Sequence, residues 1–138
     1  MHKLYLKLIS KSLLRMSSFK ELHAFDKRRS ESNRVRSKYS DRIPVICEID
    51  KHSNLPPLDK TKFLVPSDLT MGQFNYIIRR RIKLAPEKAM FLFINNTVAP
   101  SAALMSTVFD QHQDSDGFVY VKIGEESVFG HSLLRLKS

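Results

Sequence analysis

The stretch that decides the fold is Thr70-Met71-Gly72-Gln73-Phe74-Asn75-Tyr76-Ile77-Ile78-Arg79-Arg80-Arg81-Ile82. Thr70 and Gln73 have the spacing of a capping box, in which the threonine hydroxyl bonds the Gln73 amide and the glutamine side chain reaches back. Four apolar residues recur at helical spacing, namely Met71, Phe74, Ile78 and Ile82. The stretch therefore predicts one amphipathic helix whose apolar side faces a core.

Strand-like runs lie on both sides of this helix. Two precede it, at residues 42–49 and 61–65, and two follow it, at 90–94 and 118–123. We expect a loop at 54–57, a brief helix capped by Ser101 and running to Phe109, and a turn at Asp116-Gly117. Strands arranged around a single central helix favour an α+β sheet that is packed on one face.

The polar segment before the first strand contains neither proline nor glycine over residues 17–39. It predicts two short helices. Ser17 or Ser18 would cap the first, which carries Phe19, Leu22 and Phe25, and Asp26 would cap the second, which ends near Tyr39.

Composition limits the class of protein. With 138 residues, 42% of them hydrophobic, the chain is expected to form one domain with its own core. The sequence contains no run of 18 or more apolar residues, so no membrane-spanning helix is expected. The single cysteine, Cys47, excludes an internal disulfide, and its apolar strand favours a buried, inert thiol. The five histidines lack metal-ligand spacing, so no metal site is expected.

The net charge of +9 is concentrated at the two ends of the chain. Residues 1–16 hold four basic residues and no acid, and residues 131–138 hold two more, which leaves +3 for the rest. This distribution argues against a nucleic-acid partner. The run Lys27-Arg28-Arg29 is expected to be a solvated helix face. Acidic lipid headgroups or tubulin-like acidic surfaces are its functional alternatives.

Residues 1–15 differ from the rest, because Lys3, Lys7, Lys11 and Arg15 recur at every fourth position among leucines. A helix would place a basic stripe beside an apolar face, which suits a membrane surface or an organelle presequence. The interpretation that we favour is an upstream extension, with Met16 as the natural start.

Phe129-Gly130 follows the last predicted strand, and the sequence continues for eight residues beyond it. Because glycine has no side chain, an extended chain ending at Gly130 can enter a narrow active-site slot. A glycine just past the last strand, followed by a short tail, resembles the end of a ubiquitin-like modifier before processing, which implies that the protein is no enzyme. It would be a substrate that is cut between Gly130 and His131 and then joined through the new carboxylate.

The chain resembles the autophagy-related ubiquitin-like modifiers, the family of the GABA-receptor-associated protein and the microtubule light chains. The resemblance runs from about Ser17 to Gly130, and no single motif carries it alone. The segments that carry it are Arg42-Ile43-Pro44-Val45-Ile46-Cys47-Glu48, Phe63-Leu64-Val65-Pro66, Gly72-Gln73-Phe74, Arg79-Arg80-Arg81-Ile82, Pro86-Glu87-Lys88-Ala89, Ala102-Ala103-Leu104-Met105-Ser106, Asp116-Gly117-Phe118-Val119-Tyr120-Val121 and Phe129-Gly130.

The resemblance implies a ubiquitin-like β-grasp fold with two additional N-terminal helices, over residues 17–130. It also implies that a cysteine protease removes residues 131–138. Ubiquitin-activating-like and conjugating-like enzymes would then carry the Gly130 carboxylate to the amine of phosphatidylethanolamine. No other cofactor is expected. The lipid would hold the cytoplasmic protein on the autophagosome membrane and then in the vacuole or lysosome.

A peptide-binding groove at the edge of the sheet is also implied. The second strand is expected to be an edge strand that accepts an extended peptide. By resemblance, cargo receptors with aromatic-x-x-aliphatic motifs would fill two pockets, and Lys60 and Lys62 would meet their acidic residues. The aromatic pocket would comprise Glu31, Val35, Pro44, Ile46, Lys62, Leu64 and Phe118. The aliphatic pocket would comprise Phe63, Val65, Pro66, Leu69, Phe74, Ile77 and Arg81.

Alternatives stay open for these sites. The apolar members of both pockets could simply be core, and Phe74 also has core spacing. By the same resemblance, Phe91, Leu92, Phe93 and Ile94 match a second binding surface of the family, although strand alternation sends at least half of this set inward. The alternative function is an unconjugated binding module in vesicle trafficking, or on microtubules through the basic helices.

Overall fold

The structure is a computed structural model that describes residues 17–125. The predictions for residues 1–16 and for 126–138 lie outside the described residues. These include the conjugation site at Gly130 and the cleavage before His131.

Five strands form one mixed sheet in the order β2-β1-β5-β3-β4. The strands are β1 (Arg42–Ile49), β2 (Lys62–Pro66), β3 (Phe91–Ile94), β4 (Thr97–Val98) and β5 (Val119–Gly124). β1 pairs with β2 in antiparallel fashion and with β5 in parallel, while β3 pairs with β4 and β5 in antiparallel fashion. The last of these strands in the sequence therefore lies at the centre of the sheet.

The central helix α3 (Met71–Arg81) begins where the capping box predicts. The Gln73 backbone N–H donates to Thr70 Oγ1 at 3.1 Å, and the Thr70 backbone N–H donates to Gln73 Oε1 at 2.9 Å. Its buried residues Met71, Phe74 and Ile78 pack into the main core against the inner face of the sheet. The prediction of an amphipathic central helix is confirmed.

Two helices, α1 (Phe19–Leu22) and α2 (Phe25–Lys38), precede the sheet. Ser18 caps α1 as predicted, since its hydroxyl accepts a hydrogen bond from the Glu21 backbone N–H. Phe19 belongs to a second, smaller cluster with Ile46 and Phe118, separate from the main core. Ile46 alternates along β1 with the main-core residues Val45 and Cys47, so this cluster lies on the opposite, outer face of the sheet.

Three details differ from the sequence-based expectations. The boundary between α1 and α2 was wrong, because α1 ends at Leu22 and Phe25 begins α2. The N-cap of α2 is Ala24, and the expected cap Asp26 lies inside the first turn. The helix expected to be capped by Ser101 is α4 (Met105–His112), whose N-cap is Leu104, three residues later. Instead of starting a helix, the Ser101 and Ala103 carbonyls accept hydrogen bonds from the Gly72 and Met71 backbone N–H groups, each at 2.9 Å.

The third difference is β4, which the sequence analysis did not predict. Asn95 and Asn96 both adopt positive φ, at 50° and 63°, and thereby make a tight turn between β3 and β4. A strand of two residues leaves too short a pattern to recognise. Between residues 17 and 125, no helix is long and apolar enough to cross a membrane.

Candidate functional site

The groove predicted at the sheet edge is built around β2. Among residues 17–125, β2 has a neighbouring strand on one side only, so its other side is open to a further strand. The prediction of an edge strand is confirmed. Its side chains alternate, with Lys62 and Leu64 exposed and Phe63 and Val65 buried. The two predicted pockets therefore draw on opposite faces of the same strand.

Residues predicted for the aromatic pocket come together on the outer face of the sheet. Pro44 lies opposite Leu64, and Ile46 lies opposite Lys62, in the register of β1 and β2. Lys62 Nζ donates to Glu31 Oε1 of α2 at 2.7 Å, which joins the edge strand to the helix. Both partners of this ion pair are predicted members of the aromatic pocket, so the pair links two of its sides.

The remaining members differ in how far they reach the surface. Leu64 is 37% exposed and Val35 on α2 is half-buried. Ile46 and Phe118 are 0% and 3% exposed, because they belong to the small outer cluster. Leu64 thus offers apolar surface directly, whereas Ile46 and Phe118 can only form the floor of a pocket.

Among the residues predicted for the aliphatic pocket, Phe63 and Val65 lie on the inner face of the sheet, whereas Pro66 alternates with them at the end of β2. Phe63 packs edge-on against Phe74, with ring centroids 5.8 Å apart. Phe63, Val65 and Phe74 are all core residues in this structure, and Phe74 is only 1% exposed. Leu69 is partly buried against the same core, and Pro66 is half-buried at the end of β2.

Ile77 is the member of this set that is open to solvent, since it is 43% exposed on α3. One turn further along α3, Arg81 places its guanidinium 5.7 Å from the centre of the Phe63 ring. The accessible part of the aliphatic pocket is therefore its rim.

Cationic side chains line this edge of the sheet. Lys60 Nζ lies 5.0 Å from the centre of the Phe63 ring. Arg81 Nε donates to Asp59 at 2.8 Å, and this hydrogen bond, with the charge of Arg81, lowers the pKa of the Asp59 carboxyl. An acidic partner would meet Lys60 directly. It would compete with Glu31 for Lys62 and with Asp59 for Arg81.

The second predicted surface, on β3, divides as strand alternation requires. Leu92 and Ile94 belong to the main core. Phe91 and Phe93 lie on the opposite face from Leu92 and Ile94. Phe91 is half-buried, Phe93 is buried, and their ring centroids are 6.4 Å apart. A shallow cavity of about 130 Å³ lies beside Phe93 and is also lined by Glu48 and Lys122.

Cys47, the only cysteine, is buried in β1. Burial raises the pKa of its thiol far above the ordinary value, and the neighbouring Glu48 charge adds to the shift. The thiolate needed for nucleophilic chemistry is therefore disfavoured. The prediction of a buried cysteine is confirmed. Among residues 17–125, no group of three or more histidine, cysteine or acidic residues could hold a metal ion.

Sequence reasoning missed a polar network at the turn before β5. Arg28 Nη1 donates to Asp116 Oδ2 at 2.6 Å, and Tyr120 Oη donates to the same oxygen at 2.5 Å. Asp116 Oδ1 accepts the Phe118 backbone N–H at 2.9 Å. Arg28 is thus buried, and the expectation that the whole run around it is a solvated helix face was wrong at this residue.

Further contacts from the N-terminal helices end on the same turn, residues 114–117. Lys20 Nζ pairs with Asp114 at 2.6 Å, and Arg29 Nη1 donates to the Ser115 carbonyl at 3.2 Å. The Ser32 hydroxyl donates to the Asp116 carbonyl. Although burial raises the pKa of Asp114, the bonds from Lys20 and the Asp116 N–H outweigh it and hold that pKa below its usual range. No local pattern signals these contacts.

The fold defines a class of protein, a β-grasp domain of the ubiquitin-like kind. Residues 27–130 match the family model described as "Autophagy protein Atg8 ubiquitin like". The chain belongs to the Atg8 family, and like its other members it is a ubiquitin-like modifier of autophagy rather than an enzyme.

Relatives and solved structures agree with this assignment. Autophagy-related protein 8 of Cochliobolus heterostrophus is 53% identical over 117 residues, covering 85% of this chain and 98% of that protein. Its namesake from Mycosarcoma maydis is 55% identical over 114 residues, covering 83% and 97%.

Among solved structures, Trypanosoma brucei ATG8 superposes with a TM-score of 0.75 at 44% identity, covering 78% of this chain and 93% of that one. Plasmodium falciparum Atg8, solved in complex with a P. falciparum Atg3 peptide, has a TM-score of 0.74 at 35% identity, covering 80% and 97%. The ubiquitin-like fold with two additional N-terminal helices, predicted from the sequence, is confirmed.

Proposed function

We propose that this protein is conjugated through Gly130 to phosphatidylethanolamine, marks autophagosomal membranes and recruits cargo receptors through short linear motifs. The observation that carries the proposal is the open edge strand β2, with an accessible pocket rim on either face, in a chain of the Atg8 family. A modifier needs such a surface, because its only role after attachment is to be recognised.

In the first step of the proposal, a cysteine protease hydrolyses the bond between Gly130 and His131 and releases residues 131–138. An activating enzyme then uses ATP to adenylate the Gly130 carboxylate, which releases pyrophosphate, and an enzyme thiol displaces the AMP. The acyl group passes to thioesters, and the lipid amine displaces the final thiol to leave an amide. The domain of residues 17–130 becomes a lipoprotein, and the two acyl chains anchor it much more firmly than one chain could.

The thioester stage requires a conjugating enzyme as partner. In its solved complex, Plasmodium falciparum Atg8 binds a peptide of Atg3. We infer that this chain binds its own conjugating enzyme and its cargo receptors through the β2 edge. Strand addition would supply backbone hydrogen bonds, and the two pockets would supply specificity.

The charges of the groove favour motifs with acidic flanks. Lys60 is exposed beside the Phe63 ring, and Lys62 and Arg81 stand at the two pockets. An acidic motif residue would replace Glu31 at Lys62 or Asp59 at Arg81, so each ion pair with the partner would form at the expense of an internal one. These charges are therefore expected to raise the association rate and the specificity of motif binding more than its affinity.

Localisation follows from attachment. We propose a cytoplasmic form before conjugation and an autophagosome-bound form afterwards, which reaches the vacuole or lysosome with its cargo. Residues 1–16 are proposed as an extension that precedes the modifier domain.

The test of conjugation is intact mass spectrometry of the protein recovered from cells in which autophagy is induced. The expected products are a species ending at Gly130 and a membrane species heavier by one phospholipid. Gly130→Ala should abolish both, whereas Ser132→Ala, in the segment to be removed, serves as the matched control. A chain still ending at Ser138, without a lipid adduct, would refute conjugation and leave an unconjugated binding module.

The groove is tested separately with an aromatic-x-x-aliphatic peptide flanked by acidic residues. Leu64→Ala should weaken binding about tenfold, since it removes exposed apolar surface from the aromatic pocket. Val98→Ala is the matched control, because Val98 is 47% exposed on β4 at the opposite edge of the sheet. Equal loss in both variants would contradict binding at β2.

A further inference from the structure

We propose that Phe19, on the first helix, is the rear wall of the aromatic pocket and determines which aromatic side chain the pocket accepts. This inference rests on the peptide groove proposed above and adds a residue from outside both pockets. A residue that sets the depth of a pocket can determine the size of the ligand side chain that fits, even though it does not lie on the edge strand.

Phe19 shares its cluster with two residues of the aromatic pocket, Ile46 and Phe118. Its ring meets Phe118 edge-on, with centroids 5.6 Å apart and planes inclined by 75°. All three side chains are at most 5% exposed. Phe19 therefore lies directly behind two residues that are assigned to the floor of the aromatic pocket.

Three contacts hold Phe19 in place. Its backbone N–H donates to Glu48 Oε2 of β1 at 2.8 Å. The next residue, Lys20, pairs with Asp114 at 2.6 Å and lies 4.6 Å from the centre of the Tyr120 ring. Because α1 is tied to both β1 and the turn before β5, its aromatic ring is a fixed wall and not a mobile flap.

A smaller side chain at this position should deepen the pocket. Truncation of a buried ring leaves a space that its neighbours fill only in part. Phe118, released from its edge-on partner, can then move back, and a larger ligand ring can follow it. An indole would profit from the added depth more than a phenyl ring, so Phe19→Leu should shift selectivity toward tryptophan.

The experiment measures the affinities of two acidic-flanked peptides that differ only in tryptophan or phenylalanine at the aromatic position. A second pair differs only in leucine or valine at the aliphatic position. We expect Phe19→Leu to shift the tryptophan-to-phenylalanine affinity ratio about fivefold toward tryptophan, which corresponds to roughly one buried methylene group. The leucine-to-valine ratio should stay constant, because Phe19 lies outside the core that lines the aliphatic pocket.

Two further variants separate specificity from general structure. Phe19→Tyr retains the ring and should keep the tryptophan-to-phenylalanine ratio of the wild-type protein. Leu22→Ala, on the same helix but 42% exposed, should leave both ratios unchanged. An unchanged tryptophan-to-phenylalanine ratio in folded Phe19→Leu, or an equal shift in both ratios, overturns the inference.

Wild-type NMR tests the same point without any substitution. The Phe19 ring resonances should move differently when the tryptophan and the phenylalanine peptide bind, and identical shifts would overturn the inference. If the wild-type protein binds neither peptide, the proposed groove itself is wrong. That result is distinct from one in which both peptides bind and Phe19 has no effect on selectivity.

Discussion

Arg28 on α2 and Asp116 before β5 form a buried ion pair between residues 88 positions apart, with Nη1 and Oδ2 separated by 2.6 Å. The two side chains are only 10% and 0% exposed. Desolvating both charges is costly, so the pair needs further hydrogen bonds to be tolerated. Tyr120 and the Phe118 backbone N–H supply them, and the N-terminal helices are thereby tied to the sheet.

Asp116→Asn should lower the free energy of unfolding by about 3 kcal/mol, since it leaves the Arg28 charge buried without its counter-charge. Urea denaturation of both proteins measures the difference. Asp114→Asn is the control, because its ion pair with Lys20 is more exposed and should contribute less than about 1 kcal/mol. Similar losses in the two variants would show that burial of the Arg28 pair is unimportant.

Gly117→Ala should destabilise the protein by about 1–2 kcal/mol. Gly117 has a φ of 90°, and a Cβ there would fall on the Ser32 hydroxyl. Adding Ser32→Ala removes the clashing oxygen but not the backbone strain, so the double variant should lose less stability than the sum of the two single changes. Simple additivity in a double-mutant cycle would argue against the clash.

Phe74→Ala and Ile77→Ala should separate stability from binding. Phe74 is fully packed in the core, so its truncation should cost about 3–5 kcal/mol in thermal or urea unfolding. Ile77 is 43% exposed at the rim of the aliphatic pocket, so its truncation should cost little stability and yet weaken a motif peptide. A stable Phe74→Ala variant with impaired binding would mean that Phe74 acts in the pocket itself.

Stability should fall as the pH rises above 10.0, and Tyr120 should account for part of the fall. Burial and the hydrogen bond to Asp116 raise the pKa of the Tyr120 hydroxyl in the folded protein above the ordinary value of 10.0. Above pH 10.0 the unfolded chain loses this proton while the folded chain keeps it, so the unfolded state is favoured. Urea unfolding at pH 8 and pH 10.5 should show a smaller pH dependence for Tyr120→Phe. An unchanged dependence would exclude this role.

The elements best predicted from the sequence are those whose signals are local. The capping box at Thr70 and Gln73 and the apolar spacing after it placed α3 correctly. The helix expected after Ser101 was misplaced because the Ser101 carbonyl accepts a hydrogen bond from the Gly72 N–H at the start of α3. The local sequence does not indicate this partner. A good capping residue predicts a helix only if its backbone has no stronger tertiary partner.

The sequence predicted which residues lie at the edge of the sheet but not how far each of them is buried. Alternation along β2 predicts that neighbouring side chains take opposite faces, but not which of them reach solvent. Ile46 and Phe118 are buried because Phe19 covers them, and that contact joins segments far apart in the sequence. Likewise Lys27, Arg28 and Arg29 look alike in the sequence, and only the position of Asp116 makes Arg28 the buried one.

The central place of β5 has a consequence for the order of folding. Until β5 has been synthesised, the strands that precede it can form only the β1–β2 and β3–β4 pairs, with no strand to join them. Isolated two-stranded pairs are marginally stable in water. The sheet is therefore expected to assemble in one late step, when β5 inserts between β1 and β3, and incomplete chains should present no finished domain to any binding partner.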